Sequence, residues 1–336
     1  MTTPSVTRVF QLAARPVGMP KESDFAIVES PLPALGDGQV LVKTAFLSVD
    51  PYMRGRITGI RTYADPVNIG DVMVGGAVGQ VLESRSSDFA PGDFVVGQWG
   101  WREHAVIEAR PPQKLDAAVA PVSTALGVLG MPGMTAYFGL LDICHPKHGE
   151  TVLVSGGAGA VGSLVGQIAT ISGCRAVGIA GTDSKVDWMV KELGFDAAFT
   201  YKTVTDYPAK LKEVCPNGID CYFDNVGGAI TDAVLPQMNV YGRVSVCGQI
   251  SQYNLQKPEP GPRILGFVLV KQLRVEGFIV TRFTSKFGEG IAQMAQWLRQ
   301  GKLKYREEVV EGFENTAKAF IGMLEGDNTG KMLVKV

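Results

Sequence analysis

Gly157, Gly159 and Gly162 stand at the spacing G-x-G-x-x-G within the run TVLVSGGAGAVG, Thr151 to Gly162. Glycines so placed let a backbone close on a pyrophosphate and set it at a helix N-terminus, where amides and the helix dipole meet its charge. In a chain with 41 glycines among 336 residues the spacing alone is a weak signal. Its surroundings strengthen it. An apolar strand pattern, Thr151–Ser155, precedes the turn, and an amphipathic helix pattern (Val161, Leu164, Val165, Ile168, Ala169) follows, with a second strand at Arg175–Ala180. Such a unit binds a dinucleotide.

The end of that second strand chooses between cofactors. NAD sites place an acid there to accept the ribose hydroxyls. Here the strand ends Gly178-Ile179-Ala180-Gly181 and continues Thr182-Asp183-Ser184-Lys185. A missing carboxylate and a lysine opening the next helix favour a 2′-phosphate, hence NADPH over NADH.

Other chemistries lack their residues. Three histidines occur, His104, His145 and His148, none in H-E-x-x-H, and no metal site is expected. His145 and His148 flank Pro146 and precede Gly149, the composition of a surface turn. There is no G-x-S-x-G elbow and no P-loop. Reaction chemistry then falls to the cofactor, helped by hydroxyl or backbone donors.

These residues need a scaffold to hold them. From about Glu150, strand and helix patterns alternate: helix to Ser172, then helices Ser184–Leu193 and Tyr207–Val214, with strands Ala197–Tyr201 and Ile219–Asn225. A helix to Met238, strand Gly242–Gly248, strand-like Leu273–Thr281 and an amphipathic helix Phe287–Arg299 complete the series. Alternation of this kind implies right-handed crossovers and a doubly wound parallel sheet. Residues 1 to about 120 are instead β-rich, with short runs around Val40–Val49, Gly75–Leu82, Phe94–Gln98 and Trp101–Ile107. The tail after Gly301 ends in a strand, Lys331–Val336, able to return to that first part.

Composition excludes several partners. Lysine plus arginine number 32 against 33 acids, which gives no electrostatic case for nucleic acid or an anionic membrane. The uncharged run Ala117–Leu141 is long enough to span a bilayer, but its prolines and glycines read as short buried helices packed between domains. Five dispersed cysteines, with no C-x-x-C, fit reduced thiols in the cytoplasm, and the N-terminus lacks a secretory layout.

Six blocks in order carry a family resemblance: Ser48–Gly55 (SVDPYMRG), Gly130–Tyr137 (GMPGMTAY), Ser155–Ser163, Cys221–Gly228 (CYFDNVGG), Cys247–Asn254 (CGQISQYN) and Gly326–Lys331. The chain resembles, nearly end to end, the zinc-independent medium-chain dehydrogenase/reductase superfamily, in the branch of prostaglandin, 2-alkenal and curcumin reductases. The resemblance implies a β-rich GroES-like catalytic domain (residues 1–125 plus 301–336), a Rossmann NADP-binding domain (126–300), an active site in the cleft between them, and a homodimer joined through the Rossmann sheets. It implies that NADP(H) meets Gly157, Gly159, Ala160, Val161 and Gly162, with Gly181, Lys185 and Tyr201 around the 2′-phosphate. Asn225, Cys247, Gly248, Gln249, Ile250, Ser251, the strand Phe278-Ile279-Val280, and Asn328 complete that set. Gly156-Gly157 replaces alanines common in relatives, and the extra glycine is expected to loosen the turn slightly.

The implied reaction is reduction of the C=C bond of α,β-unsaturated aldehydes and ketones, at CH–CH. Hydride reaches the β-carbon, charge collects on the carbonyl oxygen, and donors aimed there lower the barrier. Tyr253, after the fifth Rossmann strand, is expected to polarise the carbonyl; Tyr52 and Tyr63 are expected to line the pocket, one of them assisting proton delivery. A phenol stays protonated at neutral pH and donates without carrying charge. Two alternatives stay open: an NADPH quinone reductase of the same superfamily, and a nucleotide-binding protein without turnover.

Overall fold

A computed structural model describes residues 4–110 and 113–336. The chain divides into two compact units: Met1–Leu126 with Glu307–Asn328 and Met332–Val336, and Gly127–Arg306 with Thr329–Lys331.

The first unit opens with the antiparallel pair β1 (Val6–Leu12) and β2 (Phe25–Pro31). Its main sheet uses β3 (Gln39–Ser48), β4 (Ala77–Ser84), β5 (Phe94–Gly97), β6 (His104–Glu108) and β7 (Gln113–Leu115), with helix α1 (Tyr52–Arg56) after β3. The tail adds strand β14 (Glu307–Glu311), helix α9 (Thr316–Glu325) and strand β15 (Lys331–Lys335), numbered here after the second unit's elements, and β15 pairs antiparallel with β3. Aromatic residues from both ends of the sequence share one core. Trp101 has its ring 5.8 Å from those of Phe10 and Phe320 and 5.7 Å from Phe25. Removing these large rings from water supplies the main drive for this packing.

The second unit begins with α2 (Met131–Phe138) and continues with β8 (Thr151–Ser155), α3 (Gly162–Ile171), β9 (Arg175–Ala180), α4 (Asp183–Lys191), β10 (Ala197–Thr200) and α5 (Tyr207–Val214). It runs on through β11 (Ile219–Asp224), α6 (Gly228–Val234), β12 (Met238–Val246), α7 (Leu265–Lys271), β13 (Arg274–Gly277) and α8 (Phe287–Arg299). The strands form one parallel sheet in the order β10-β9-β8-β11-β12-β13. Both faces are covered, which explains the unbroken apolar strands. In β8, Val152 and Val154 enter one core and Leu153 the other; in β11, Cys221 and Phe223 oppose Tyr222 in the same way.

Two expectations are corrected. The strand expected over Leu273–Thr281 ends at Gly277, and Val280 starts a short 3₁₀ helix, Val280–Lys286. Phe278-Ile279-Val280 is therefore a strand-to-helix turn. The helix expected to reach Met238 runs as α6 to Val234 and on as a 3₁₀ turn, Leu235–Gln237, while β12 starts at Met238 rather than Gly242. Its first half was hidden by a bulge: pairing jumps from Ile219↔Met238 to Cys221↔Arg243, with Tyr241 at φ +66°. The run Ala117–Leu141 forms short, largely buried helices as expected, a 3₁₀ turn, Val122–Leu126, and α2. Among the described residues no helix is long and apolar enough to cross a membrane.

Candidate functional site

The strand order reverses direction between β8 and β11, and such a switch point opens a crevice at the carboxyl ends of the strands. The glycine turn leaves β8 at that point. Gly156 sits at φ +63°, which a side chain would strain, so it makes the turn rather than loosening it. Gly157 donates its N–H to Ile179 O, 2.9 Å, and Gly159 bonds back to Gly156 O, 3.0 Å. A Cβ on Gly162 would fall 2.2 Å from Gly156 O, so only glycine lets α3 start this close to the turn. Val161 is the N-cap of α3 and no side chain caps it. A helix start that lacks a side-chain cap and lies against a glycine turn fits a pyrophosphate.

At the end of β9 no carboxylate follows Ala180. Thr182 caps α4, accepting the Lys185 N–H at 3.4 Å, and Lys185 itself is half-buried in the first turn. A Cβ on Gly181 would lie 3.4 Å from the Tyr201 hydroxyl, so Gly181 and Tyr201 are neighbours. Tyr201 is 38% exposed, and Tyr207 donates to its carbonyl at 3.2 Å. The residues here suit a phosphate monoester: a cation and a phenol, with no acid at the strand end.

Across the switch point, β11 ends in the buried Asp224, and Asn225 follows. The Asn225 side-chain amide donates to Ser155 O at 2.8 Å and its own N–H donates to Ser155 Oγ at 2.9 Å. Two backbone bonds then suspend the next loop from this one: Ile250 N–H to Asn225 O, 3.2 Å, and Ser251 N–H to Val226 O, 3.1 Å. That loop turns through a 3₁₀ element, Ile250–Gln252, and ends at Tyr253.

Tyr253 faces a cavity of about 470 Å³ lined also by Val246, Cys247, Gly248, Gln249, Gly277, Phe278 and Ile279. Its hydroxyl oxygen accepts the Gln249 N–H at 3.3 Å. A phenol that accepts from an amide keeps its own proton to give away. Burial, chiefly, raises its pKa, so it stays a neutral donor at physiological pH. Burial likewise pushes the Cys247 thiol up to about 12, which keeps it protonated beside the cavity.

The sequence-predicted residues therefore separate into groups. Cys247, Gly248, Gln249, Tyr253, Phe278 and Ile279 share the cavity wall. Val280 instead packs against the core, with Phe278 nearly buried over Phe223, ring centroids 6.4 Å apart. Ser251 turns its hydroxyl to Val226 O, 2.6 Å. Asn328 belongs to the first unit, while Thr329–Lys331, immediately after it, belong to the second, where Gly330 donates to Ala158 O at 2.8 Å. Tyr52 and Tyr63 lie in the first unit. Tyr52 opens α1, and burial first, then Asp50 and Tyr63, raises its pKa; Tyr63 is 58% exposed. Ser155 and Asp224, the organisers of this arrangement, were not among the expected site residues, although they lie in the family blocks Ser155–Ser163 and Cys221–Gly228. An acid closing an apolar strand (CYFD) was the available signal. His145 and His148 are exposed, His145 at φ +46°, and among the described residues no group of three or more His, Cys, Asp or Glu is arranged for a metal ion.

A doubly wound sheet with a glycine turn at its switch point defines a dinucleotide-binding α/β protein. Comparison with known proteins narrows this. Residues 8–115 match the family model described as the N-terminal domain of oxidoreductase, and residues 160–297 the one described as zinc-binding dehydrogenase. Prostaglandin reductase 1 of Rattus norvegicus is 48% identical over 322 residues, covering 95% of each chain. The NADPH-dependent curcumin reductase of Escherichia coli (strain K12) is 43% identical over 334 residues, 98% of this chain and 96% of that one. The crystal structure of CurA in complex with NADPH from Vibrio vulnificus superimposes with a TM-score of 0.94 at 45% identity, covering 98% of this chain and 99% of that one. The chain belongs to the zinc-independent medium-chain dehydrogenase/reductase family, in the branch that holds prostaglandin, curcumin and 2-alkenal reductases.

Proposed function

We propose that this protein is an NADPH-dependent reductase of the C=C bond of α,β-unsaturated aldehydes and ketones. The observation that carries the reading is the Tyr253 phenol, protonated, anchored by Gln249 N–H and facing a cavity walled by Phe278 and Ile279. NADPH, when bound, supplies the hydride for the β-carbon. The chain's own residues do the rest. The α3 start and the glycine turn hold the pyrophosphate, and Lys185 with Tyr201 holds the 2′-phosphate. Gly181, Asn225 and the Cys247–Ser251 run line the remainder of the cofactor path. A hydrogen bond from Tyr253 to the carbonyl oxygen strengthens as charge gathers there. Cys247, kept as a thiol, does not add to the electrophilic enone.

Tyr253→Phe tests this with a simple enone and NADPH. Loss of one such donor costs about 2–4 kcal/mol in the transition state, read as a fall in kcat/KM. An unchanged kcat/KM removes Tyr253 from the chemistry. NADPH oxidation by quinones but not by enones would reassign the enzyme as a quinone reductase.

Homodimer formation and a cytoplasmic setting belong to the same proposal. β13 is an edge of the Rossmann sheet, and α7, which precedes it in the chain and packs on β12, shows Leu265, Leu269 and Val270 each more than 70% exposed. An apolar face next to an open edge suits a second copy of the chain. All five cysteines are free thiols, which suits a reducing compartment.

A further inference from the structure

We infer that Asp224 is a positioning residue for the reduction, acting with Ser155 to set both Asn225 and Tyr253; the Tyr253 half of this rests on the function proposed above. Asp224 is 1% exposed and Ser155 fully buried, so neither reaches a cofactor or substrate. The carboxylate is nevertheless the most heavily bonded side chain of the switch point. Its Oδ1 accepts from Ser155 Oγ (2.9 Å), the Tyr222 hydroxyl (2.9 Å), Val226 N–H (3.0 Å) and Gly227 N–H (2.9 Å). Its Oδ2 accepts from Thr231 Oγ1 at 2.7 Å. No basic side chain is among these partners. A buried carboxylate held only by neutral donors is tolerated when those donors are numerous and fixed, and it fixes them in return.

What it fixes is specific. Ser155 gives its proton to Asp224, so its oxygen must accept, and it takes the Asn225 N–H at 2.9 Å. With that backbone set, Asn225 turns its side-chain amide to Ser155 O and its carbonyl to Ile250 N–H. Val226, held by Asp224, receives Ser251 N–H and Ser251 Oγ. The backbone carbonyl of Asp224 also receives Cys247 N–H (2.9 Å) and Gly248 N–H (3.0 Å). The segment that ends in the Tyr253 phenol is thus hung from residues 224–226, and the Asp224 side chain sets their conformation.

The test uses Ser155→Ala, Tyr253→Phe and the double variant of the full chain, with folding followed by circular dichroism and thermal melting. Displacing a catalytic donor by a fraction of an ångström to one ångström lowers kcat by roughly 10- to 100-fold, and that is expected for Ser155→Ala. The NADPH dissociation constant, measured by cofactor fluorescence, should rise several-fold through Asn225. In the Tyr253→Phe background the kcat loss should shrink to about threefold or less, because the displaced hydroxyl is already absent, whereas the rise in dissociation constant should persist. A folded Ser155→Ala with unchanged kcat and unchanged NADPH binding overturns the inference, and so does a kcat loss that multiplies in full in the double variant. Should Ser155→Ala fail to fold, Thr231→Val, which removes one donor from Oδ2, is read by the same criteria. Failure of both to fold assigns Asp224 to stability alone and overturns the inference. If Tyr253→Phe itself has no effect, the donor role of Tyr253 falls separately, and positioning is then decided by the NADPH binding of Ser155→Ala.

Discussion

Replacing Lys185 with alanine separates the two pyridine nucleotides. The side chain is removed from the first turn of α4, but the bond that caps this helix, Lys185 N–H to Thr182 Oγ1 at 3.4 Å, is a backbone bond and survives. Alanine is also a good helix former, so the helix should remain. On the function proposed above, what is lost is a cation for the 2′-phosphate. A hydrogen bond to a charged group is worth about 1.5–3 kcal/mol when sheltered. Lys185 is only half-buried, so the lower end applies, and about 1.4 kcal/mol corresponds to tenfold. The expected result is a rise of roughly tenfold in KM for NADPH, with kcat nearly constant and NADH kinetics unchanged. Added salt should narrow the difference between wild type and variant, since the contact is partly screened. The assay is kcat/KM for each nucleotide at saturating enone and two ionic strengths. A second variant, Gly181→Asp, supplies the missing acid: its Cβ would make ordinary contact with Tyr201 at 3.4 Å, and Gly181 is not at positive φ. It should weaken NADPH further and improve NADH. An unchanged NADPH-to-NADH ratio in Lys185→Ala, or an equal fall with both, refutes the assignment of a phosphate pocket at this helix.

Two further predictions concern stability and assembly. Arg243 forms a bidentate pair with Glu150 and donates to the Cys144 and His145 carbonyls, with both charged side chains under a fifth exposed. Burial alone would raise the Glu150 pKa, but the Arg243 hydrogen bonds and the Lys147 N–H outweigh it, and the carboxyl sits below its ordinary value. Stability from this pair is complete above the unfolded glutamate pKa, about 4.3, and is lost as pH falls through the lower folded value. Arg243→Met should cost about 3 kcal/mol near neutrality, and its melting difference from wild type should shrink between pH 6 and pH 3. A constant difference across that range refutes the linkage. For assembly, Leu269→Glu on α7 should convert a dimer to a monomer in sedimentation velocity, because Leu269 is 77% exposed in the single chain. A dimer that persists eliminates the α7–β13 face.

The parts of this molecule legible in the sequence are those written in local period. β8, β9, α5 and α8 stand where their apolar spacing puts them, because each buries a face whose pattern repeats within a few residues. β12 was half concealed, since its bulge at Asn239–Gly242 interrupts the alternation that marks a strand. The turn Phe278–Val280 carries three apolar residues of strand character. Phe278 nonetheless leaves the sheet because its ring must cover Gly139, where a Cβ would come within 2.5 Å of it, and that contact joins segments far apart in sequence. The candidate site divides in the same way. The glycine turn and Lys185 follow from spacing along one strand–helix unit, and Tyr253 from its place after the fifth Rossmann strand. Asp224 does not: Tyr222, Val226, Gly227 and Thr231 stand close to it in sequence, but Ser155 closes β8, sixty-nine residues away, so no short window shows the whole set. A buried acceptor is specified by where donors converge, and convergence is a property of the strand order. Once the order β10-β9-β8-β11-β12-β13 places the ends of β8 and β11 side by side, an acid closing β11 must meet whatever closes β8. A serine there, able to give one hydrogen bond and accept another, is what lets the carboxylate's hold pass to Asn225.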